Sequence, residues 1–160
     1  MRAALFVEYA QWLKVDLCFQ GFEEELAALP GAYAPPRGRL LLAGAPETAF
    51  ACVALRPLAD EAGCGVRAAR KRQSRRSAGE VKRLYVQPPH RGEGWGERLA
   101  RALIDEARAI GYRELKLDTL DWMAPARARC TRASASASAR RTIATRWPGG
   151  VHVAVASLTA

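Results

Sequence analysis

Histidine and cysteine are scarce in these 160 residues: two histidines, His90 and His152, and four cysteines, Cys18, Cys52, Cys64 and Cys130. No Cys-x-x-Cys pair occurs and the histidines are too few for a cluster, so no zinc site and no disulfide framework is encoded. The thiols are read as reduced. No apolar run approaches the ~20 residues that span a bilayer, and no signal peptide is present, which makes the cytoplasm the expected compartment. Acidic residues stop at Asp121, although bases continue to Arg146. Length allows one domain with a single core.

The net charge of +9 would suggest nucleic acid, but its distribution is uneven. Residues 64–83 carry eight bases against one acid, and residues 122–160 carry six bases and no acid, while the rest is close to neutral or acidic. The first basic segment, from Arg67 to Arg76, lies between two predicted strands and contains no aromatic residue on which a base could stack. It reads as a solvated loop inserted over about 64–80. A nucleic-acid- or ribosome-binding protein using Arg67 to Arg83 and the Arg-rich tail remains the alternative function, although nucleic acid is the disfavoured partner.

The most informative stretch is Val81-Lys82-Arg83-Leu84-Tyr85-Val86 followed by Gln87-Pro88-Pro89-His90-Arg91-Gly92-Glu93-Gly94-Trp95-Gly96. An alternating strand enters a turn with glycine at every second position, and the turn opens a helix. Such a turn lets the main chain approach a ligand closely. It also sets bare N–H groups at the positive end of a helix dipole, where phosphate binds. The helix is predicted over 95–110, with Leu99, Leu103, Ala107 and Ile110 on one face and Glu97, Arg98, Arg101, Asp105 and Arg108 on the other, and Gly111 as its stop. Leu115, Leu117 and Thr119 then alternate with charged residues as a strand. Strand, anion loop, helix, strand is a βαβ unit, whose strands should be parallel neighbours. No Gly-Lys-Ser/Thr follows the glycines, so a nucleotide-hydrolysing P-loop is excluded. A dinucleotide fold is disfavoured because roughly half the chain precedes the turn.

Arg91-x-x-Gly94-x-Gly96 in this setting resembles the acetyl-CoA signature of the GCN5-related N-acetyltransferases (GNAT), and the resemblance covers roughly residues 1–128. It implies a single-domain α/β fold: a mixed, mostly antiparallel sheet with a splayed parallel central pair, about 81–86 and 114–120, and flanking helices. Upstream, helices over 3–15 and 22–29 and strands over 39–43 and 49–55 fit that plan. The resemblance implies an enzyme that moves an acetyl group from acetyl-CoA, as cosubstrate, to a primary amine on a small molecule or peptide. The protein would be a monomer or homodimer and would need neither a metal nor a membrane. It implies cofactor contacts from Leu84, Tyr85, Val86, Arg91, Gly92, Glu93, Gly94, Trp95, Gly96 and Glu97. The Val86 N–H would polarise the thioester carbonyl. Glu80, read as lying just before the strand, matches a position of a carboxylate base acting through water; an exposed loop acid is the competing reading.

The resemblance stops after Ala128. Residues 129–147 are rich in Ala, Ser and Arg, where relatives would carry a helix containing Leu-Tyr and then Leu-Gly-Phe, including the tyrosine that protonates the CoA thiolate. No tyrosine follows Tyr112. Permitted codons for 129–147, read one base out of frame, can give Leu-Tyr-Ala-Ser-Leu-Gly-Phe-Arg-Glu-Arg. The expectation is therefore a frameshifted tail over 129–160 that impairs activity. Residues 129–150 should be irregular or poorly packed helix, because their small side chains offer little to offset ~1–2 kcal/mol of backbone entropy per residue. Residues 151–158 have strand propensity suited to an edge strand.

Overall fold

The computed structural model describes residues 2–13, 21–45, 47–58, 78–120, 141–146 and 151–157. Helices α1 (Arg2–Leu13) and α2 (Phe22–Ala27) precede strands β1 (Arg39–Ala43), β2 (Ala51–Pro57) and β3 (Ala78–Val86). Helix α3 (Trp95–Ile110) leads to β4 (Glu114–Leu120), β5 (Arg141–Arg146) and β6 (Val151–Ser157). The strands form one mixed sheet in the order β1-β2-β3-β4-β6-β5. Its single parallel pair among the described strands is β3 with β4; the other neighbours are antiparallel. The expected splayed pair is present. Parallel pairing runs from Ala78 opposite Glu114 to Val81 opposite Leu117, and stops there although both strands continue. No described helix is long and apolar enough to cross a membrane.

The two faces of the sheet are covered differently. On one, Leu99, Ala100, Leu103, Ile104 and Ala107 of α3 pack on Ala51, Val53 and Leu55 of β2 and on Leu115 of β4. Each fully buried Leu or Ile here contributes about 1.5–3 kcal/mol. Gly111 ends α3 at φ 95°, a left-handed cap that glycine accepts without a Cβ clash. On the other face, Leu5 and Phe6 of α1 join Tyr33, Cys52, Ala54 and Tyr85. β2 is thus buried on both sides and reads as a continuous apolar run, Ala51 to Leu55.

β3 carries the feature that shapes the site. Ala54 pairs with Lys82 and Cys52 with Tyr85, so β3 holds one residue more than β2 across this interval. The bulge falls at Arg83, whose φ of 57° makes it the described non-glycine residue in the left-handed region. Parity flips across it: Val81, Leu84 and Val86 pack toward α3, whereas Arg83 and Tyr85 face α1 and α2.

Three expectations require correction. β3 begins at Ala78, so Glu80 lies inside a strand and is buried at 9% exposure, and it is not an exposed loop acid. Residues 141–146 form a strand where an irregular tail was expected. β6 is interior, between β4 and β5, and not an edge strand. The physical reason is the open edge of β4: backbone pairing is indifferent to side-chain size, so an exposed row of N–H and C=O groups recruits any proline-free extended segment. Residues 121–140 and 147–150, residues 64–77 of the basic insertion predicted over about 64–80, and Cys18, Cys64 and Cys130 lie outside the described residues.

Candidate cofactor and acyl-transfer site

The site lies where β3 leaves β4. The N–H of Gln87 donates to Phe50 O at 2.9 Å, and Tyr85 lies opposite Cys52. These fix the direction of three successive peptides, because C=O and N–H of a trans peptide point opposite ways. The Leu84 C=O, the Val86 N–H and the Val86 C=O therefore face away from β2, toward the edge that β4 has vacated. Arg91 occupies the last of these, its Nε donating to Val86 O at 2.9 Å. One acceptor and one donor remain along the splayed edge, a pattern that suits an extended amide-bearing chain.

Beyond Val86 the chain turns through Pro88–His90 and reaches Gly92 and Gly94, at φ 90° and 82°. A Cβ at either would meet nothing within 4 Å. Gly94 caps α3 with its carbonyl, which accepts from the N–H groups of Glu97 and Arg98, each at 3.1 Å. Among the described residues, no backbone acceptor takes the N–H of residues 92–96. The turn thus presents a row of donors at the head of a 16-residue helix, and the Cβ positions of Gly92 and Gly94 face open space. This geometry fits a pyrophosphate.

Side chains brace the turn. Phe50 stacks on His90 at 4.0 Å and meets Trp95 edge-to-face at 5.1 Å. Trp95 Nε1 donates to Glu93 Oε2 at 3.0 Å, and Glu97 pairs with Arg101 at 2.7 Å. The Arg91 guanidinium lies over the rings of Trp12 (4.8 Å) and Tyr85 (5.6 Å). Gln87 Nε2 donates to both Glu8 oxygens, at 3.0 and 2.9 Å, which ties α1 to the end of β3. Sequence reasoning missed Phe50, Gln87, Glu8 and Trp12, because their partners are 40 to 80 positions away and no spacing rule links them.

The residues predicted for the cofactor, from Leu84 to Val86 and from Arg91 to Glu97, converge on this end of the sheet. Glu80 does not. It sits six residues upstream of Val86 on the same strand, roughly 20 Å away at ~3.3 Å per residue, beside the part of β3 still paired with β4. Its oxygens accept from Arg56 Nε and Lys82 Nζ, each at 2.8 Å. Burial alone would raise its pKa, but these two cations outweigh burial and hold it below the ordinary carboxylate value.

A second buried charge lies under the bulge. Arg83 is 4% exposed and grips Glu25 of α2 with Nε and one Nη, at 3.0 and 2.6 Å. Tyr33 Oη also donates to Glu25, at 2.7 Å. Desolvation pushes Glu25 up, yet the hydrogen bonds from Arg83 and Tyr33 leave its pKa lowered. Burial, then the anionic Glu25, drives the Tyr33 phenol well above its usual value. The Cys52 thiol, pushed up to about 12 by burial, donates to Arg83 O at 3.3 Å.

A sequence model described as the acetyltransferase (GNAT) family matches residues 7–133. The chain is 37% identical over 123 residues to an uncharacterized N-acetyltransferase of Schizosaccharomyces pombe, covering 76% of this chain and 66% of the relative. It therefore spans slightly less than two thirds of that relative's length. Its fold is similar to an acetyltransferase of Staphylococcus aureus (TM-score 0.65, 13% identity, 98% of this chain and 93% of that one). It is also similar to Salmonella typhimurium YncA, solved with its cofactor acetyl-CoA (TM-score 0.54, 18% identity, 91% and 76%).

Proposed function

The chain belongs to the acetyltransferase (GNAT) family, and from that premise we propose that it binds acetyl-CoA and transfers the acetyl group to a primary amine. The observation that carries the reading is the junction of two features at one end of β3. The parallel pair opens after Val81 and Leu117, and the Gly92–Gly96 turn follows with open space at the Cβ positions of Gly92 and Gly94. The N–H groups of residues 92–96 would hold the pyrophosphate, each charge-assisted bond contributing ~1.5–3 kcal/mol. The Leu84 C=O would accept from an amide N–H of the pantetheine arm, which leaves the Val86 N–H for the thioester carbonyl. When bound, acetyl-CoA supplies an acyl thioester, a carbonyl activated toward amines.

This chain's own groups divide the remaining work. The Val86 N–H is fixed by the strand and donates to a developing oxyanion without reorganising. Arg91, held to Val86 O in this structure, supplies a cation beside the turn. Glu80 is ionised at neutral pH, and at its distance along the strand from Val86 it could take the amine's proton only through a chain of several waters. Its two cationic partners make it a weaker base than a free carboxylate.

We infer further that turnover is impaired by the tail. No tyrosine follows Tyr112 to protonate the thiolate, and the family match ends at residue 133, close to where the resemblance to relatives breaks. A missing general acid costs ~10²–10⁴ in rate. Calorimetric titration with acetyl-CoA and an acetylation assay on a panel of amines, for this chain and for one read in the alternative frame after Ala128, test both statements. Both chains should bind and only the second should turn over rapidly. Failure of both to bind would refute the cofactor reading, whereas equal turnover would refute the frameshift. Sequencing codons 126–132 decides the frameshift directly.

A further inference from the structure

The bulge in β3 determines which peptide groups reach the splayed edge. Below it, Ala54 lies opposite Lys82; above it, Cys52 lies opposite Tyr85. Were the lower register continued without the extra residue, Val86 would stand opposite Phe50, and its N–H would be spent on β2. The one-residue slip instead places Gln87 there, with its N–H on Phe50 O, and turns the Val86 N–H outward. Any function assigned to that N–H depends on the slip being held.

We propose that Arg83 and Glu25 are positioning residues for the acyl site: their buried two-point ion pair clamps the bulge to α2 and so keeps the Val86 N–H turned toward the splay. The proposal rests on the acetyl-CoA reading above. Arg83 takes φ 57°, a conformation that disfavours side-chain-bearing residues, so something must compensate for it. Three contacts do. The guanidinium makes two hydrogen bonds to Glu25 at 3.0 and 2.6 Å. It also lies over the rings of Phe22 and Tyr9, at 5.0 and 5.6 Å. The carbonyl that the bulge withdraws from the sheet ladder accepts the Cys52 thiol at 3.3 Å.

Glu25 is in turn fixed by Tyr33 Oη at 2.7 Å, and Tyr33 is itself 2% exposed. The clamp thus runs from the turn after α2, through α2, to the backbone of β3. The Gly92–Gly96 turn contributes nothing to it. That separation allows the role to be distinguished from general support of the fold.

The experiment compares two ligands on the full chain. Acetyl-CoA uses both the turn and the splayed edge, whereas adenosine 3′-phosphate 5′-diphosphate carries the pyrophosphate without the pantetheine arm. In Glu25→Gln, calorimetry should show acetyl-CoA binding weakened about tenfold, the equivalent of one lost hydrogen bond. Affinity for adenosine 3′-phosphate 5′-diphosphate should stay within twofold. Equal losses for both ligands, or none for either, would overturn the clamp. If Glu25→Gln no longer melts cooperatively, Tyr33→Phe leaves the ion pair in place but removes its support. Amide resonances of residues 83–86 should then shift while those of 92–96 do not, and the reverse pattern would overturn the proposal. If the unaltered chain binds neither ligand, the acetyl-CoA reading itself has failed, and that outcome is distinct from the others.

Discussion

Replacing Gly94 by alanine separates binding from folding at a single methyl group. Gly94 sits at φ 82° at the head of α3, and a Cβ there would meet no atom within 4 Å. The only intrinsic cost is therefore the left-handed dihedral, about 1 kcal/mol, which for a chain of this size lowers Tm by about 3 °C. With the pyrophosphate seated over this turn, as proposed, the same methyl would enter the open space beside Gly94. Displacing a phosphate by the width of a methyl would break one or two charge-assisted bonds worth ~1.5–3 kcal/mol each, so Kd for acetyl-CoA should rise at least tenfold.

Gly79 provides the contrast. A Cβ there would lie 2.8 Å from Leu55 Cδ1 and 3.0 Å from Leu115 Cδ2, an overpacking that costs about 1–3 kcal/mol. Gly79 pairs with Leu115 in the closed part of the sheet, away from the turn. Gly79→Ala should thus lower Tm as much or more while the folded protein keeps its affinity. Thermal melts with calorimetric titrations on both variants decide the matter. An unchanged Kd in Gly94→Ala would refute the assignment of the turn to pyrophosphate.

Other expectations follow from the buried charges. Glu25 and Glu80 both have native pKa values below the unfolded value of ~4.3. Their stabilisation is therefore full above that value and lost as pH falls through the lowered native ones. Tm should be level above about pH 5 and fall below it, with a shallower fall in Glu25→Gln; an identical acid slope would mean that the Arg83 pair adds nothing. Cys52 is fully buried with its pKa pushed up to about 12, so it should resist iodoacetamide at pH 8 until denaturant is added, as read by peptide mass mapping; modification under native conditions would contradict its placement. In the chain read in the alternative frame, Glu80→Gln should reduce kcat by less than the ~10²–10⁴ of a base in direct contact with the amine, with little change in acetyl-CoA affinity. An unchanged kcat would remove Glu80 from the mechanism.

The parts of the fold legible in the sequence were those governed by local periodicity. α3 is amphipathic over its whole length and ends on a glycine, so its bounds, 95–110, emerged without tertiary information. The parallel β3–β4 pair followed from the βαβ order and crossover handedness. The bulge was not legible, since an alternating run such as Val81–Val86 gives no sign that its parity slips at Arg83. The sign of Arg83 itself was there to read: a long cation within an apolar strand must find a buried anion or leave the core. Its partner Glu25 lies 58 positions away, among three consecutive glutamates of α2, and only the tertiary fold selects it from Glu23 and Glu24. Glu80 was misjudged for a related reason. Arg56 reaches it across the β2–β3 pair and Lys82 from two positions along β3, and together they form a buried ion triad.

The two basic segments also look different once the charges are paired. Lys82 and Arg83 end the first segment, and both are bound to internal carboxylates, Lys82 to Glu80 and Arg83 to Glu25. A phosphate backbone would have to compete with those buried partners, and counterion release would offer it little there. A nucleic-acid reading thus loses the two described bases of its best segment, and rests on arginines outside the described residues. The acyl-transfer reading depends on none of them. It rests on peptide groups that face the open side of β3 and on glycines 92 and 94. A polyanion-binding module has no use for a parallel pair that separates at Val81, and an acyl thioester with an extended arm does.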